Sequence, residues 1–246
     1  MSSISGFKVE GIIHQSLHTI VYRCYREQDG APVVIKALKA EYPADKEISR
    51  LQHEYSIAKD LDIPGIRRAY ALVDCSNGIA LVSEDFGAEP LSEFLAHRPL
   101  AIPQFLKVAI ALTETLGLLH QHNIIHKDIK PQNIILNPAT GEIQIIDFGI
   151  STRLSRENQS FGSPYILEGT LAYISPEQTG RMNRLIDYRT DFYSLGITFY
   201  EMLLDALPSL ATTRWSLSTA TLQGFHRHQN NSTQKFPLFC PLSFSS

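Results

Sequence analysis

The chain opens with three short runs in which apolar and polar residues alternate loosely, at 7–13, 20–26 and 32–38. Gln28-Asp29-Gly30 punctuates the last two, so the pattern predicts antiparallel strands joined by tight turns. Lys36 shares a face with Val34 and Leu38, so its ammonium points where apolar groups point and needs an anionic partner. The period then lengthens. Over 44–61, Ile48, Leu51, Ala58 and Leu61 recur at helical spacing, with Asp45 placed to cap the start. Glu54 lies on that stripe, and a carboxylate on a core face wants a cation; Glu47, nearly two turns earlier, is the alternative partner for Lys36. A short apolar strand follows at 79–82. A second helix is predicted over 105–119, striped by Val108, Ala109, Leu112, Leu116 and Leu119, and an apolar helix runs from Asp191 through Met202.

Between these helices lies the stretch with the most chemistry, residues 124–149. Two apolar runs of strand length flank Asn137-Pro138-Ala139-Thr140-Gly141, which predicts a hairpin with polar residues at its open ends. That arrangement brings Asp128, Lys130 and Asn133 close to Asp147. Hard oxygen ligands held together suit Mg²⁺ carrying phosphates. A spare carboxylate and a lysine suit a hydroxyl nucleophile and its phosphoryl donor. His120, His122 and His126 lie close by, but their spacing matches no usual zinc set and no cysteine is near. His126 is expected to pack under the loop and orient it.

Composition narrows the setting. With 246 residues, 43% of them hydrophobic, the chain can form one or two lobes with real cores. A net charge of −3 implies no general affinity for nucleic acid or acidic membranes. No apolar run of membrane-spanning length and no signal-like N-terminal pattern is found, so no membrane insertion is expected. Three cysteines, far apart and odd in number, read as free thiols of a cytoplasmic protein.

His126-Lys127-Asp128-Ile129-Lys130-Pro131-Gln132-Asn133 resembles the protein-kinase catalytic loop, and Asp147-Phe148-Gly149 resembles the metal-binding motif that follows it. The resemblance implies an α+β, two-lobed kinase-like fold: a β-rich small lobe at 7–86 and a mainly helical large lobe at 87–208, truncated. It implies ATP and Mg²⁺ as cofactors and a protein substrate with a serine or threonine hydroxyl. Asp128 would orient or deprotonate that hydroxyl, and Lys130 would neutralise the transferring phosphoryl group. Asn133 and Asp147 would hold Mg²⁺, and Lys36, held by Glu54, would bind the α- and β-phosphates. Ser83-Glu84-Asp85-Phe86-Gly87 resembles the hinge whose backbone holds adenine, giving Glu84 and Phe86 as contacts; the small Ser83 implies an enlarged pocket behind the base. Val21 would pack on adenine. The motif 169–177 resembles the end of the activation segment, and Thr170 with Lys130 resembles the serine/threonine-specific branch. Gly180-Arg181-Met182-Asn183-Arg184 resembles kinase domains that open large bacterial, cyanobacterial-like sensor kinases, whose further sensor and histidine-kinase modules are absent from this chain.

Three departures qualify the resemblance. The family's glycine-rich loop is replaced: His14, Ser16 and Thr19 fall at the glycine positions, so the loop should be stiffer, with Ser16 and Thr19 hydroxyls as substitute donors. Lys127 stands where many kinases have arginine, which implies weak dependence on activation-segment phosphorylation. After Pro208 the character changes: residues 210–246 contain no Asp or Glu and show no helical stripe. This is either a divergent or disordered tail, or the product of one lost base near Ser209, since shifted codons from Arg214 onward can spell Pro-Val-Glu-Leu-Val-His. Without the outer helices, Tyr193, Leu195, Ile197, Phe199 and Leu203 are expected to be partly exposed and Glu177 to lack its cation. A non-catalytic interaction module is the competing reading.

Overall fold

Loose alternation in the first third of the chain becomes a five-stranded antiparallel sheet. Its strands are β1 (Phe7–Gln15), β2 (Thr19–Arg26), β3 (Pro32–Leu38), β4 (Ala69–Cys75) and β5 (Gly78–Glu84), in the order β1-β2-β3-β5-β4. The computed structural model describes residues 4–154, 169–179 and 186–208, all within one compact unit, Met1–Pro208. Period two divides β3 as expected: Val33, Ile35 and Ala37 join Cys24, Ala80 and Val82 in one apolar cluster, while Leu38 packs with Leu51 and Leu81 in another.

Helix α1 (Asp45–Ala58) delivers that second cluster. Its N-cap is Ala44, not Asp45: Glu47 Oε2 accepts from the Ala44 amide at 3.0 Å, closing the first turn from inside the helix. This commits Glu47 to the helix start and leaves Glu54 to face inward.

The larger part of the core surrounds α3 (Ile102–Gln121). All five residues of the expected stripe are buried, Leu112, Leu116 and Leu119 completely. Each such leucine is worth roughly 1.5–3 kcal/mol relative to exposure. α3 is long and apolar enough, by length and composition, to cross a membrane, but this stripe makes it the spine of a protein core. Short elements frame it: β6 (Glu89–Pro90), α2 (Leu91–His97), β7 (Ile124–Ile125), β8 (Ile134–Leu136), β9 (Ile143–Ile145) and β10 (Thr152–Arg153). The expected hairpin is β8–β9, registered Ile134↔Ile145, and Gly141 at φ +77° turns it.

Helix α4 (Arg189–Leu204) starts before Asp191 and ends on Asp205 in the left-handed region. Tyr193 and Leu203 are exposed and Ile197 and Phe199 partly exposed, as expected, Phe199 packing edge-on to Phe105 with ring centroids 5.6 Å apart, but Leu195 is buried in the α3 core. Glu177 is engaged by the Thr190 hydroxyl at 3.0 Å. Residues 209–246, the proposed tail, lie outside the described residues. Sequencing the coding DNA across codons 205–215 tests the shifted-frame reading, and an intact frame removes it.

Candidate active site

β3 sets Lys36 opposite Val21 and Leu81, which offer it no charge. Its Nζ donates instead to Glu54 Oε2 on α1 at 2.8 Å and to Asp147 Oδ1 beyond β9 at 3.0 Å. One ammonium facing two carboxylates leaves a net negative cluster, and the more buried carboxylate bears the deficit. Burial pushes Glu54 up to about 7, Lys36 offsetting only part and Asp147 adding to it. Burial pushes Asp147 the same way, but the charge and hydrogen bond of Lys36 outweigh it and hold Asp147 at about 2. Burial likewise opposes the charge on Lys36, and the two carboxylates more than restore it, leaving its pKa above the ordinary value.

The sign of the stability dependence follows. A carboxyl raised on folding contributes stability below its unfolded pKa, and that contribution is lost as pH rises through the folded value. For Glu54 the window runs from about 4.5 to about 7. Asp147, depressed, contributes above about 3.8 and loses its contribution as pH falls toward 2. Urea denaturation between pH 4.5 and 7 is expected to show stability falling with pH, and Glu54→Gln to flatten that slope. An identical slope in the variant would refute the assignment.

The loop between β7 and β8 holds a second cluster. Asp128 Oδ2 accepts from Lys130 Nζ at 2.6 Å and from Asn133 Nδ2 at 2.8 Å, while its Oδ1 accepts from the Thr170 amide at 3.1 Å. Lys130 Nζ also donates to the Thr170 hydroxyl at 2.6 Å. Asn133 Nδ2 reaches the Asp128 carbonyl too, at 2.8 Å, which directs its amide oxygen elsewhere. The Ile146 amide donates to the Asn133 carbonyl at 2.9 Å, so the two clusters share one backbone tie. Gly169 is at φ +105°, and a Cβ there would meet the Lys127 carbonyl at 3.4 Å, so glycine is what lets Thr170 approach.

Beneath the loop, His126 is fully buried, stacked edge-on to Phe148 at 4.9 Å and bonded to the Ile146 carbonyl at 3.0 Å. Lys127 and Asp147 both sit at positive φ, +67° and +68°, a conformation that costs a side-chain-bearing residue and persists only where surroundings enforce it. Asp191 supplies the enforcement for Lys127: its carboxylate accepts from the amides of His126 at 2.9 Å and Lys127 at 2.7 Å. Gln178 adds a bond to the Lys127 carbonyl at 3.0 Å.

A cleft of about 400 Å³ is lined by Lys36, Glu54 and Asp147 of the first cluster, by Lys130, Asn133 and Thr170 of the second, and by Ser83, which is 6% exposed. Asp128 is not a lining residue and joins the cleft through its bonds to Lys130, Asn133 and Thr170. Val21, Ser16 and Thr19 line it as well. Glu84 and Phe86 are not among its lining residues. Glu84 accepts a bond from Gln144 through its side chain, and the Phe86 carbonyl accepts from Asn137 at 2.6 Å. The three histidines are engaged elsewhere, and no group of three metal-binding side chains of His, Cys, Asp or Glu forms among the described residues.

A family model for the protein kinase domain matches residues 10–240. The chain belongs to the protein kinase family. Among curated proteins, this kinase is similar to the serine/threonine-protein kinase PrkC of Bacillus subtilis, 32% identical over 193 residues, which are 78% of this chain and 29% of that protein. It is 34% identical over 203 residues to serine/threonine-protein kinase A of Synechocystis, covering 75% of this chain and 38% of the relative. The kinase chain thus spans about a third of the length of these relatives.

One residue of the kinase cleft carried no signal in the sequence. Arg67 lines the cleft, and its Nε is buried without a hydrogen-bond partner. Burial lowers its pKa to about 10, with Asp85, Glu54 and Glu84 offsetting only part. Two consecutive arginines before a strand show no period, and the Arg67 amide donates to the Ile145 carbonyl at 3.3 Å, a tie to β9 that local pattern does not report. A buried unpaired donor is costly, but the Arg67 charge also holds Glu54 down, so Arg67→Met, of similar length, is expected to lower stability near neutral pH in urea titration by leaving buried Glu54 with one cation fewer.

Proposed function

We propose that the chain transfers the γ-phosphoryl group of ATP to serine or threonine hydroxyls of a protein substrate. The observation that carries this reading is the meeting, in one cleft, of Lys36 bonded to both Glu54 and Asp147 with Lys130 and Thr170, both of which are bonded to Asp128. In this reading Asp128 accepts the proton of an incoming hydroxyl, and Lys130, bonded to it, supplies positive charge beside it. Lys36 is the cation for the non-transferring phosphates. The residues fit Mg²⁺. Asp147 lines the cleft with a side chain 40% exposed, and Asn133 has its amide nitrogen committed to Asp128, which leaves hard oxygens toward the cleft. Mg²⁺ usually binds through one or two protein ligands together with phosphates, and Asp147 and Asn133 offer that number. Bound there, Mg²⁺ would neutralise phosphate charge.

We place the chain in the cytoplasm of a bacterium, in signal transduction; the names of the bacterial relatives, serine/threonine-protein kinases, support the kinase part of that reading. The test is direct. Mg²⁺-ATP should raise the melting temperature of the purified chain and deposit labelled phosphate on a generic protein substrate, and Asp147→Ala should remove the thermal shift. A shift without transfer favours the interaction-module reading. No shift in a folded chain refutes the ATP site.

A further inference from the structure

The turn joining β1 to β2, which covers the cleft where phosphates would lie, is closed on itself by one side chain. Ser16 Oγ accepts from the amides of His18 at 3.2 Å and Thr19 at 3.0 Å. It also pairs with the Thr19 hydroxyl at 2.9 Å and lies 3.3 Å from the Thr19 carbonyl. A serine hydroxyl has one proton and two lone pairs, so these contacts fill its capacity. The Ser16 amide is taken too, donating to the Thr19 carbonyl at 2.9 Å, and the His18 carbonyl accepts from Lys39 at 2.8 Å. Three of the backbone amides in residues 16–19 therefore have partners inside the turn.

We infer that Ser16 is a specificity-determining residue that withholds the turn's amides from the nucleotide's phosphates, so that phosphate recognition falls to Lys36 and the bound metal. This rests on the reading of the cleft as an ATP site. The physical basis is competition. An amide already bonded to a neutral hydroxyl must give up that bond to reach a phosphate oxygen, whereas an amide facing water gives up only a water. Glycine at the same position, with no hydroxyl, leaves the amides to the phosphate. The serine converts a phosphate cradle into a self-satisfied turn while keeping its place over the cleft.

This reading and the substitute-donor role expected for the Ser16 hydroxyl predict opposite results. If Ser16 donated to phosphate, removing its hydroxyl would weaken ATP binding. If it is a self-cap, removal frees two amides and strengthens it. Calorimetric titration of the full chain with Mg²⁺-ATP and, separately, with adenosine decides. Ser16→Ala is expected to bind Mg²⁺-ATP roughly three- to ten-fold tighter than the native chain, the gain expected of one net hydrogen bond. Adenosine, which has no phosphate, should bind both alike. Ser16→Gly, which also loosens the backbone, should move in the same direction. Weaker or unchanged Mg²⁺-ATP binding in Ser16→Ala overturns the inference, as does an equal gain for adenosine. If folded native and variant chains bind adenosine but neither binds Mg²⁺-ATP, the inference fails for want of a phosphate subsite. If neither ligand binds, the ATP-site reading itself has failed.

Discussion

Asp128→Asn is expected to lower phosphoryl transfer by roughly 10²–10⁴-fold, the usual weight of a positioned general base, without removing the thermal shift caused by Mg²⁺-ATP. The substitution keeps the shape of the side chain and one oxygen for Thr170, so the loop has little reason to collapse. What it removes is the negative charge between Lys130 and Asn133, and with it the acceptor for a hydroxyl proton. It also turns an amide against Lys130 Nζ or the Thr170 amide, so some local rearrangement accompanies the chemical loss. Lys36, Glu54 and Asp147 are untouched, so nucleotide binding should persist. Labelled-phosphate transfer and thermal melting on the same preparation separate the two effects. Native-level transfer would show that Asp128 is not the base. Loss of both readouts would mean that it is structural.

The elements that carry the site were legible because their side chains obey simple periods. Alternation set Lys36 on the Val34 face, and helical spacing set Glu54 on the Leu51 stripe; the structure joins them at 2.8 Å. The hairpin followed from two apolar runs around Asn137–Gly141, and β8–β9 form there. Local periodicity does not report contacts made by side chains with backbone at short range. The cap on α1 belongs to Ala44 and Glu47 rather than to Asp45, because Glu47 reaches back one turn. The Ser16 turn is of the same kind. β4 and α2 escaped for another reason. α2 is seven residues long with Leu91 as its buried residue, too short to show a period. β4 gains its partner only through β5, so its seven residues become a strand by pairing rather than by their own pattern. Arg67 shows the limit from the other side, since its backbone is tied to Ile145, far away in sequence.

Asp191→Ala is expected to cost about 3–5 kcal/mol of stability, the penalty for breaking a buried charged network from one side. The carboxylate is fully buried and accepts three bonds, from the amides of His126 and Lys127 and from His120 Nε2 at 2.8 Å. Alanine leaves all three donors in the core without their acceptor. It also removes what holds Lys127 at φ +67°, a conformation that costs a residue with a Cβ roughly 1–2 kcal/mol. Against a total stability of roughly 5–15 kcal/mol, the variant should melt much earlier yet remain folded in the cold. Activity measured under those cold conditions then isolates the second effect. Relaxation of Lys127 should displace Asp128, the next residue, while Lys36 and Asp147 keep their bonds. The fall should therefore appear in kcat, with the KM for ATP little changed. A denaturation midpoint unmoved from the native value would mean that the catalytic loop holds its strained turn without Asp191. An equal loss in ATP affinity would mean that the loop and the Lys36 cluster rearrange as one unit. That outcome would place the coupling between them in the backbone bond from Ile146 to Asn133.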